Sequence, residues 1–562
     1  MRKIAVILWM YVIGNGIVFA QTIPYPPGSE TLDVNDVAFR INVGGDLSWD
    51  LFSDPGCEVP KGSGKHAMFA GGLWIGGLDG NGDLHTAATT YRQQGIDYWP
   101  GPQAQNYDAA YFNRYGKVWT ARADEIVVHK LLYNQPGYVI PANIMNWPGN
   151  GDTANGEPAQ LAPFFDQNLN GLYEPETGDY PLILGDEALY LVYGDYHFPN
   201  TETLGLPLGF EIRQMVYAKD TAQGNPLDQT IFMSYKMINR SGEDYKDVYV
   251  GLWIDGDLGN FFDDFVGTDE KSNMFYTYNG DPLDEGPTGY GLTPPAYGIT
   301  FLNRRLDFMR TYNNNFTATG NPTVPEHYYN YLKNLWQDST FLTFGGNGYG
   351  GTVPTNFTYP DLPTDTSGWS EVTAGNMPSD RRMLGSFGPI GVPIGDTVCF
   401  NVALVFSRAD SGDHLASVPL LTQNAIKVRS YYLQDGNACN LKVIGPDTTT
   451  QPVDTTTQPV DTTQQPVDTT QQPVDTTGVF ISGLETRTGV RLSPNPVYND
   501  LYVEVNVPYV EIQIMDIRGR VMLNRSWKEG KHTLSVEELP PGIYFSEIRS
   551  PRGREIVKWV KR

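Results

Sequence analysis

The sequence predicts a mainly β protein with two β-sandwich-like parts, a large central region with long loops and few helices and a small C-terminal sandwich. Three observations predict this fold. Short runs that alternate apolar and polar residues recur along the chain, as at 501–507. Gly (60 residues) and Tyr (34) are abundant and charged residues are only 18%, which favours strands and turns over long surface helices. A Thr/Pro-rich repeat separates the two parts.

The overall composition limits the number of domains and the class of protein. A chain of 562 residues corresponds to three or four domains of ordinary size, or to fewer large β-rich ones. The net charge of -25 argues against a nucleic-acid role, because phosphate backbones need clustered Lys and Arg. An acidic surface favours solubility and, outside a cell, suits calcium binding.

The N-terminus has the pattern of a secretory signal peptide. Basic residues at positions 2 and 3 precede an apolar stretch at 4–19, and small residues stand before a cleavage point between Ala20 and Gln21. The apolar stretch is too short and too interrupted for a comfortable membrane span. We therefore expect residues 1–20 to be removed and the mature chain to begin at Gln21.

The central region, 21–445, is expected to hold one or two β-sandwich-like subdomains. Three runs predict strands, at 211–218, 231–238 and 248–254. Two runs have helical spacing, at 326–336 and 420–433. In the second of these helices one face would be shared by Leu421, Ala425, Val428 and Tyr432.

The cysteines are few and odd in number: Cys57, Cys399 and Cys439. They do not form a disulfide framework, although one bridge with one remaining thiol stays open in an oxidising compartment. The absence of a Cys-x-x-Cys pair argues against thiol redox chemistry and cysteine-based zinc sites.

Residues 446–478 form a low-complexity linker. From Asp447 to Thr477 the chain repeats the seven-residue units DTTTQPV and DTTQQPV. Each unit has one apolar residue and one helix-breaking proline, which excludes a coiled coil. Such a segment cannot bury enough surface to offset its chain entropy, so we expect a disordered, extended and semi-stiff spacer.

The segment after the linker predicts a small immunoglobulin-like β-sandwich. Alternating strands at 501–507 and 510–517 are followed by a turn at 516–520, and a second turn at 540–542 precedes a strand at 543–548. The chain then closes on a basic end at 555–562.

Several blocks of this tail carry a family resemblance. Leu492-Ser-Pro-Asn-Pro496, the run at 510–520, Leu539-Pro-Pro-Gly-Ile-Tyr544 and the basic end occur in order. Together they resemble the type A sorting domain of type IX secretion cargo, here 479–562. The resemblance implies Sec export, passage through the type IX translocon, and removal of the domain by a sortase-like surface protease. The protein would then be released or anchored at the outer-membrane surface.

Two further resemblances concern the linker and the central region. The Asp-Thr-Thr units resemble O-glycosylation sites of Bacteroidota, which implies glycans on Thr448, Thr455, Thr462, Thr469 and Thr476; an unmodified spacer is the alternative. The blocks 61–66 with 69–76 and 378–382 with 388–389 resemble an uncharacterised ectodomain of Bacteroidota secreted proteins. That ectodomain has no known activity and therefore implies no chemistry.

The best candidate metal site is the run Asp166-Gln-Asn-Leu-Asn-Gly-Leu-Tyr-Glu174. Side-chain oxygens at positions 1, 3, 5 and 9 and a turn-forming Gly171 suit calcium, which takes six to eight oxygen ligands. The predicted ligands are Asp166, Asn168, Asn170 and Glu174. The run resembles thrombospondin-type and dockerin-like calcium loops. Thr177 stands where an EF-hand has its bidentate glutamate, and Glu176 could supply that ligand instead. A metal-free turn is the alternative.

A second acidic cluster follows the strand at 248–254. It contains Asp255, Asp257, Asp263, Asp264 and Asp269. Five carboxylates so close in the chain repel one another unless a cation or hydrogen bonds compensate. The cluster is a weaker candidate for calcium, with paired catalytic carboxylates or a solvated turn as alternatives.

Other catalytic patterns fail. The run at 62–66 lacks the glycine and hydroxyl of a phosphate loop, and the one at 346–351 is not followed by a helix that could hold a pyrophosphate. Metal-binding histidine pairs and a G-x-S-x-G motif are absent. A triad built from distant residues stays open.

The interpretation we favour is a secreted or surface-anchored, non-enzymatic protein braced by calcium: an adhesin, a glycan-binding protein or a surface-layer component. The 11 Trp and 34 Tyr suit glycan binding, because flat aromatic rings stack on sugar faces. A secreted polysaccharide hydrolase that uses paired carboxylates is the main alternative, and an assembly subunit is a third.

Overall fold

The computed structural model describes residues 25–92, 94–435 and 438–445. In the C-terminal part it describes 484–485, 489–493, 497, 499–516, 521–540 and 542–561. The described residues are 39% strand and 13% helix, which confirms the prediction of a mainly β fold. The expected signal peptide, the repeat linker and its five candidate threonines (Thr448, Thr455, Thr462, Thr469 and Thr476) lie outside the described residues.

The central region contains twenty-two strands and six α-helices among its described residues. The strands are β1 Ser29–Leu32, β2 Ala38–Asn42, β3 Cys57–Glu58, β4 His66–Met68, β5 Ala70–Leu78, β6 Leu84–Ala88, β7 Trp99–Pro100, β8 Trp119–Arg122, β9 Phe164–Phe165, β10 Tyr180–Pro181, β11 Glu187–Gly194, β12 Phe210–Ala218, β13 Thr230–Asn239, β14 Tyr245–Asp255, β15 Asp264–Asp269, β16 Met274–Asn279, β17 Leu283–Asp284, β18 Gly291–Leu292, β19 Ala296–Phe301, β20 Phe308–Tyr312, β21 Arg382–Val392 and β22 Thr397–Ser407. The helices are α1 Ala109–Tyr115, α2 Ala123–Leu132, α3 Ala142–Met145, α4 Pro325–Leu332, α5 Glu371–Ala374 and α6 Ser417–Asp435.

Two large antiparallel sheets organise the central region. The nine-stranded sheet runs β15-β16-β19-β22-β13-β12-β11-β7, with β8 also pairing with β11. The five-stranded sheet runs β20-β21-β14-β5-β6. A smaller sheet, β1-β2-β3-β4, is connected to the five-stranded sheet through single bridges of Leu47 with Ile41 and with Gly71.

Side chains alternate between the two faces along each strand of the large sheets. Each sheet therefore turns one apolar face towards the other, and the main core lies between them. In β12, Ile212 and Val216 face this core, whereas Met215 and Tyr217 belong to a second cluster on the outer face, where α1, α2 and α6 pack. On the outer face of the five-stranded sheet, Trp253 of β14 packs with residues of α4. Each fully buried large apolar side chain contributes roughly 1.5–3 kcal/mol. The result is a sandwich covered by helices on both sides.

The predicted strands at 211–218, 231–238 and 248–254 correspond to β12, β13 and β14. The predicted helix at 420–433 lies within α6, and Leu421, Ala425, Val428 and Tyr432 are all buried on the face that packs on the nine-stranded sheet. The predicted helix at 326–336 ends earlier, at Leu332, because Asn334 has a left-handed backbone (φ 64°) that a helix cannot continue through.

The C-terminal part is a second sandwich of two four-stranded sheets, β23-β24-β25-β28 and β27-β26-β29-β30. Its strands are β23 Leu484–Glu485, β24 Val490–Ser493, β25 Asp500–Val505, β26 Val510–Asp516, β27 Val521–Trp527, β28 Gly530–Ser535, β29 Gly542–Ser550 and β30 Gly553–Lys561. One cluster with Val503, Ile512 and Trp559 joins the two sheets. The predicted turn at 516–520 falls largely outside the described residues.

Candidate metal centres

A group of three carboxylates lies where β14 ends. Antiparallel pairing of β14 with β21 places Asp255 opposite Arg382. Asp257 follows Asp255 by two residues, and Asp380 precedes Arg382 by two residues. One oxygen from each of Asp255, Asp257 and Asp380 lies within 4.8 Å of the other two. We call these three residues the carboxylate triad.

The triad has more negative charge than its surroundings balance. Asp255 is only 1% exposed; its Oδ2 accepts a hydrogen bond from the Tyr91 hydroxyl at 2.6 Å and lies 3.7 Å from Nη2 of Arg382. The same guanidinium contacts Asp380. Among the described residues, Oδ1 of Asp255 and Oδ1 of Asp257 are buried without a hydrogen-bond partner. Three carboxylates therefore share one cation.

Burial and the excess negative charge also shift the pKa values of two triad carboxylates, Asp255 and Asp257. Burial raises the pKa of Asp255 to about 6, although the Arg382 guanidinium opposes the shift. Burial, together with the carboxylates of Asp255 and Asp380, holds the pKa of Asp257 well above its usual range. Such a group must take up a proton or a cation. Inward-facing carboxylate oxygens are the ligands that calcium prefers, so the triad suits a divalent cation.

The other predicted carboxylates of this cluster lie outside the triad, although the carboxylate of Asp264 is close enough to Asp257 for their charges to interact. Asp264 accepts from the backbone N–H of Leu258 at 2.9 Å, and Asp263 accepts from the Asn260 side chain at 3.2 Å; both hold the loop before β15. Asp269 stands at the far end of β15, where it accepts from the Ser272 hydroxyl at 2.6 Å within a turn.

Asp380 was missed by the sequence analysis. It lies far from Asp255 in the chain, and only the pairing of β14 with β21 brings the two together. The signal in the sequence that could have pointed to Asp380 is its place in the block 378–382, which resembles the Bacteroidota ectodomain.

The predicted calcium loop brings the side chains of Asn168, Asn170 and Glu174 together, while Asp166 contacts the loop backbone. Asp166 is 3% exposed, and its two oxygens accept from the backbone N–H groups of Asn170 at 3.2 Å and Gly171 at 2.6 Å. The side-chain amides of Asn168 and Asn170 both reach Oε2 of Glu174, at 3.3 and 2.5 Å. A rotated amide would present its oxygen at the same place. Gly171 has φ 80°, a conformation that favours glycine.

A further carboxylate, which the sequence analysis did not single out, closes this loop. Asp179 is fully buried and accepts from the backbone N–H of Gln167 at 2.8 Å and of Glu174 at 2.7 Å. Thr177, at the position that departs from the EF-hand, lies 3.4 Å from the Asn168 amide, whereas Glu176 is exposed. The loop is therefore arranged around its acidic side chains without a bidentate glutamate at its end.

A small polar pocket lies near the triad. It has a volume of about 120 Å³, and its walls include Asn313, Trp336, Asn347, Tyr359, Asn376 and Arg381; we call it the amide pocket. Thr311 also lines it, and the Thr311 hydroxyl donates to the backbone carbonyl of Arg382 at 2.8 Å. The pocket and the triad thus share the start of β21.

Fixed hydrogen bonds hold the amide pocket. Arg381 is paired with the buried carboxylate of Glu371 through Nε at 3.1 Å, and Glu371 also accepts from the Asn376 amide at 2.8 Å. Phe344 and Tyr349, close in the chain to Asn347, are 50% and 42% exposed. Amide groups beside exposed aromatic rings are the groups that recognise sugar hydroxyls and sugar faces.

The tryptophans themselves are mostly core residues. Trp74, Trp253 and Trp336 are almost completely buried beneath α4 and its flanking loop. None of these three rings is available as an open stacking surface.

Comparison with known proteins identifies the C-terminal sandwich. Residues 491–562 match the family described as secretion system C-terminal sorting domain. The chain is therefore a type IX secretion cargo protein that interacts with the type IX machinery and is exported to the cell surface or the medium. No helix among the described residues is long and apolar enough to cross a membrane.

The comparisons give no function for the central region. No curated protein sequence matches the chain. Among solved structures, a polysaccharide lyase aligns with 62% of this chain at 7% identity and a TM-score of 0.17. The alignment covers 34% of the lyase, about a third of its length. A likeness this low carries no argument about fold or activity.

Proposed function

We propose that this cargo protein is a non-enzymatic glycan-binding protein or adhesin of the cell surface, whose central region is braced by calcium. The observation that carries the proposal is the triad, in which buried carboxylate oxygens of Asp255 and Asp257 lie close together without a hydrogen-bond partner among the described residues. Calcium at millimolar concentration outside a cell would supply the missing charge.

The triad does not suit the alternative of a polysaccharide hydrolase. A retaining glycosidase needs two carboxylates about 5 Å apart on opposite sides of the bound sugar, and an inverting one needs a wider gap. The triad oxygens lie within 4.8 Å of one another, a spacing close to that of a retaining pair, but those of Asp255 and Asp257 that lack a partner among the described residues are buried, where a sugar ring would not reach them. A cation fits this geometry better than a substrate does.

Glycan recognition is assigned to the amide pocket because it combines three asparagines, an arginine and neighbouring exposed aromatic rings. Its volume of about 120 Å³ admits one projecting group of a sugar, with the rest of the glycan lying over Phe344 and Tyr349. A cation at the triad would hold the start of β21, and with it Arg381, in position.

The remaining parts of the proposal concern maturation. The signal peptide would be cut between Ala20 and Gln21, and the linker at 446–478, with or without glycans on its threonines, would space the central region (21–445) from the sorting domain at 479–562. A sortase-like surface protease would then remove the sorting domain.

The test is a glycan-panel binding assay on the mature secreted protein in 2 mM calcium and in EGTA. We expect retention in calcium that is lost in EGTA and reduced in Asn347→Ala, whereas Asn134→Ala, an exposed asparagine elsewhere, keeps it. The panel is examined afterwards for cleavage. Shortened glycans would favour the hydrolase, and neither binding nor cleavage would favour a structural subunit of the surface.

A further inference from the structure

A second cavity lies on the outer face of the nine-stranded sheet, away from the triad and the amide pocket. It has a volume of about 230 Å³ and is bounded by β12, β13 and the segments 158–163 and 439–443. Four basic side chains line it: Arg213, Lys236, Arg240 and Lys442. We call it the basic pocket. No residue that lines it carries a carboxylate.

Four cations in one pocket are unexpected in a chain with 39 basic and 64 acidic residues. Arg213 and Lys236 are direct partners in the register of β12 and β13, and like charges in that position destabilise a sheet. The buried carboxylate of Glu211 lies 2.7 Å from Arg213 and 3.3 Å from Arg240. It offsets only one of the four positive charges, so the pocket keeps a clear positive potential.

Several donors of the basic pocket remain available to a ligand. Arg213 is fixed in place, since its Nη1 donates to the backbone carbonyl of Leu161 at 2.7 Å. Within the part of the chain that the structure describes, Nε of Arg240 is buried without a hydrogen-bond partner, and neither Lys236 nor Lys442 forms an ion pair. An anion that enters the pocket would meet a preorganised arginine and two ammonium groups that no carboxylate of the described residues pairs with.

The rest of the pocket wall is apolar. Leu161, Tyr190, Met215 and Val443 line it, and the Tyr190 hydroxyl is already used, since it donates to the carbonyl of Leu161 at 3.0 Å. The pocket therefore combines a cationic side with an aromatic and aliphatic side. A ligand that fits both has an anionic group on a compact ring with apolar C–H faces.

We propose that the basic pocket binds an anionic sugar unit, one that carries a carboxylate or a sulfate group. The cavity is smaller than the roughly 300–1,000 Å³ of pockets for drug-sized ligands, which limits it to about one sugar ring. This site is independent of the triad and of the amide pocket, because it shares no residue with either.

The test is calorimetric titration of the full secreted protein in EGTA, with glucuronate, glucose 6-sulfate, glucose and inorganic sulfate as separate probes. We expect glucuronate or glucose 6-sulfate to bind, glucose not to bind, and inorganic sulfate to bind more weakly. Lys236→Gln should lower the affinity by roughly tenfold or more, as expected for a charge-assisted hydrogen bond. Lys427→Gln, on the exposed side of α6, is the matched control.

Two results would contradict this proposal. Equal binding of inorganic sulfate and the anionic sugars would overturn the sugar assignment, and absence of binding by all probes would overturn the site. If Lys236→Gln unfolds the protein, Lys442→Gln replaces it, because Lys442 is exposed and its loss leaves the sheet intact. The presence of EGTA separates this result from the calcium-dependent glycan binding proposed above.

Discussion

Asp257→Asn should change the stability of the protein in opposite directions with and without calcium. In EGTA the triad contains repelling carboxylates, and two unit charges at the 4.8 Å limit repel by about 3 kcal/mol at an effective dielectric constant of about 20. The substitution would remove two of these repulsions and leave Arg382 to balance Asp255 and Asp380. Burial and the neighbouring carboxylates raise the pKa of Asp257, so protonation already relieves most of this repulsion in the wild type. The variant should therefore melt at a slightly higher temperature than the wild type in EGTA, with a gain in stability smaller than the contribution of calcium.

In 2 mM calcium the order should reverse. With a dissociation constant of about 0.1 mM, which is usual for extracellular calcium modules, 2 mM calcium stabilises the native state by about 2 kcal/mol. Loss of the Asp257 ligand removes most of that stabilisation. The variant should therefore keep only the calcium gain that comes from the predicted loop, whereas the wild type gains from both sites.

The assay is thermal unfolding followed by circular dichroism in both buffers, with Asp83→Asn as a control for loss of one exposed carboxylate. The reasoning is refuted if Asp257→Asn shifts the melting temperature in the same direction in EGTA and in calcium. It is also refuted if the wild type melts at the same temperature in both. Comparison with Asp166→Asn separates the triad from the predicted calcium loop.

Four other perturbations test the loop, a buried histidine, the cysteines and the sorting domain. Asp166→Asn should reduce the rise in melting temperature that calcium causes, measured in the same two buffers. The substitution weakens a predicted calcium ligand and the two hydrogen bonds that Asp166 accepts from the loop backbone. Burial lowers the pKa of His197 to about 3, below its unfolded value of about 6.5. The contribution of the neutral His197 to the free energy of unfolding should therefore be fully present above pH 6.5 and fall by up to about 1.4 kcal/mol per pH unit towards pH 3. Urea unfolding at a series of pH values measures this slope, which should be smaller in His197→Gln. Hydrogen bonding to Cys439 lowers the pKa of the Cys399 thiol, and in the oxidising exterior the two cysteines should form a disulfide. Peptide mapping under non-reducing conditions should show this disulfide, whereas alkylation of all three cysteines would contradict it. Removal of residues 491–562 should abolish appearance at the surface and in the medium, measured by fractionation, while the chain accumulates inside the envelope.

Local patterns predicted the parts of this fold that depend on neighbouring residues. The buried face of α6 could be identified from the spacing of Leu421, Ala425, Val428 and Tyr432, because helical periodicity is a local property. The short helices α1 and α2 were missed. Their 7 and 10 residues are too few for a clear period, and contacts with the outer face of the nine-stranded sheet hold them.

Non-local contacts decide the candidate sites. Asp255 and Asp257 could be found because they are close in the chain, whereas Asp380 joins them only through strand pairing. The basic pocket was not predicted for the same reason, since Arg213 and Lys236 become neighbours only when β12 pairs with β13. The number of ways to pair so many short strands is large, and the alternation within each strand does not select the partner.

The predicted calcium loop also lies at the exit of the central region. Ile444 accepts a hydrogen bond from the backbone N–H of Asp166 at 2.7 Å and forms a single bridge with Phe165, and the next residue, Gly445, lies against Leu169. In a surface-anchored protein, any pull on the linker would reach the folded domain first at this point. Calcium in the loop would then set how much mechanical force the domain withstands before the chain begins to peel away. The ion would act on attachment strength under flow without touching a ligand.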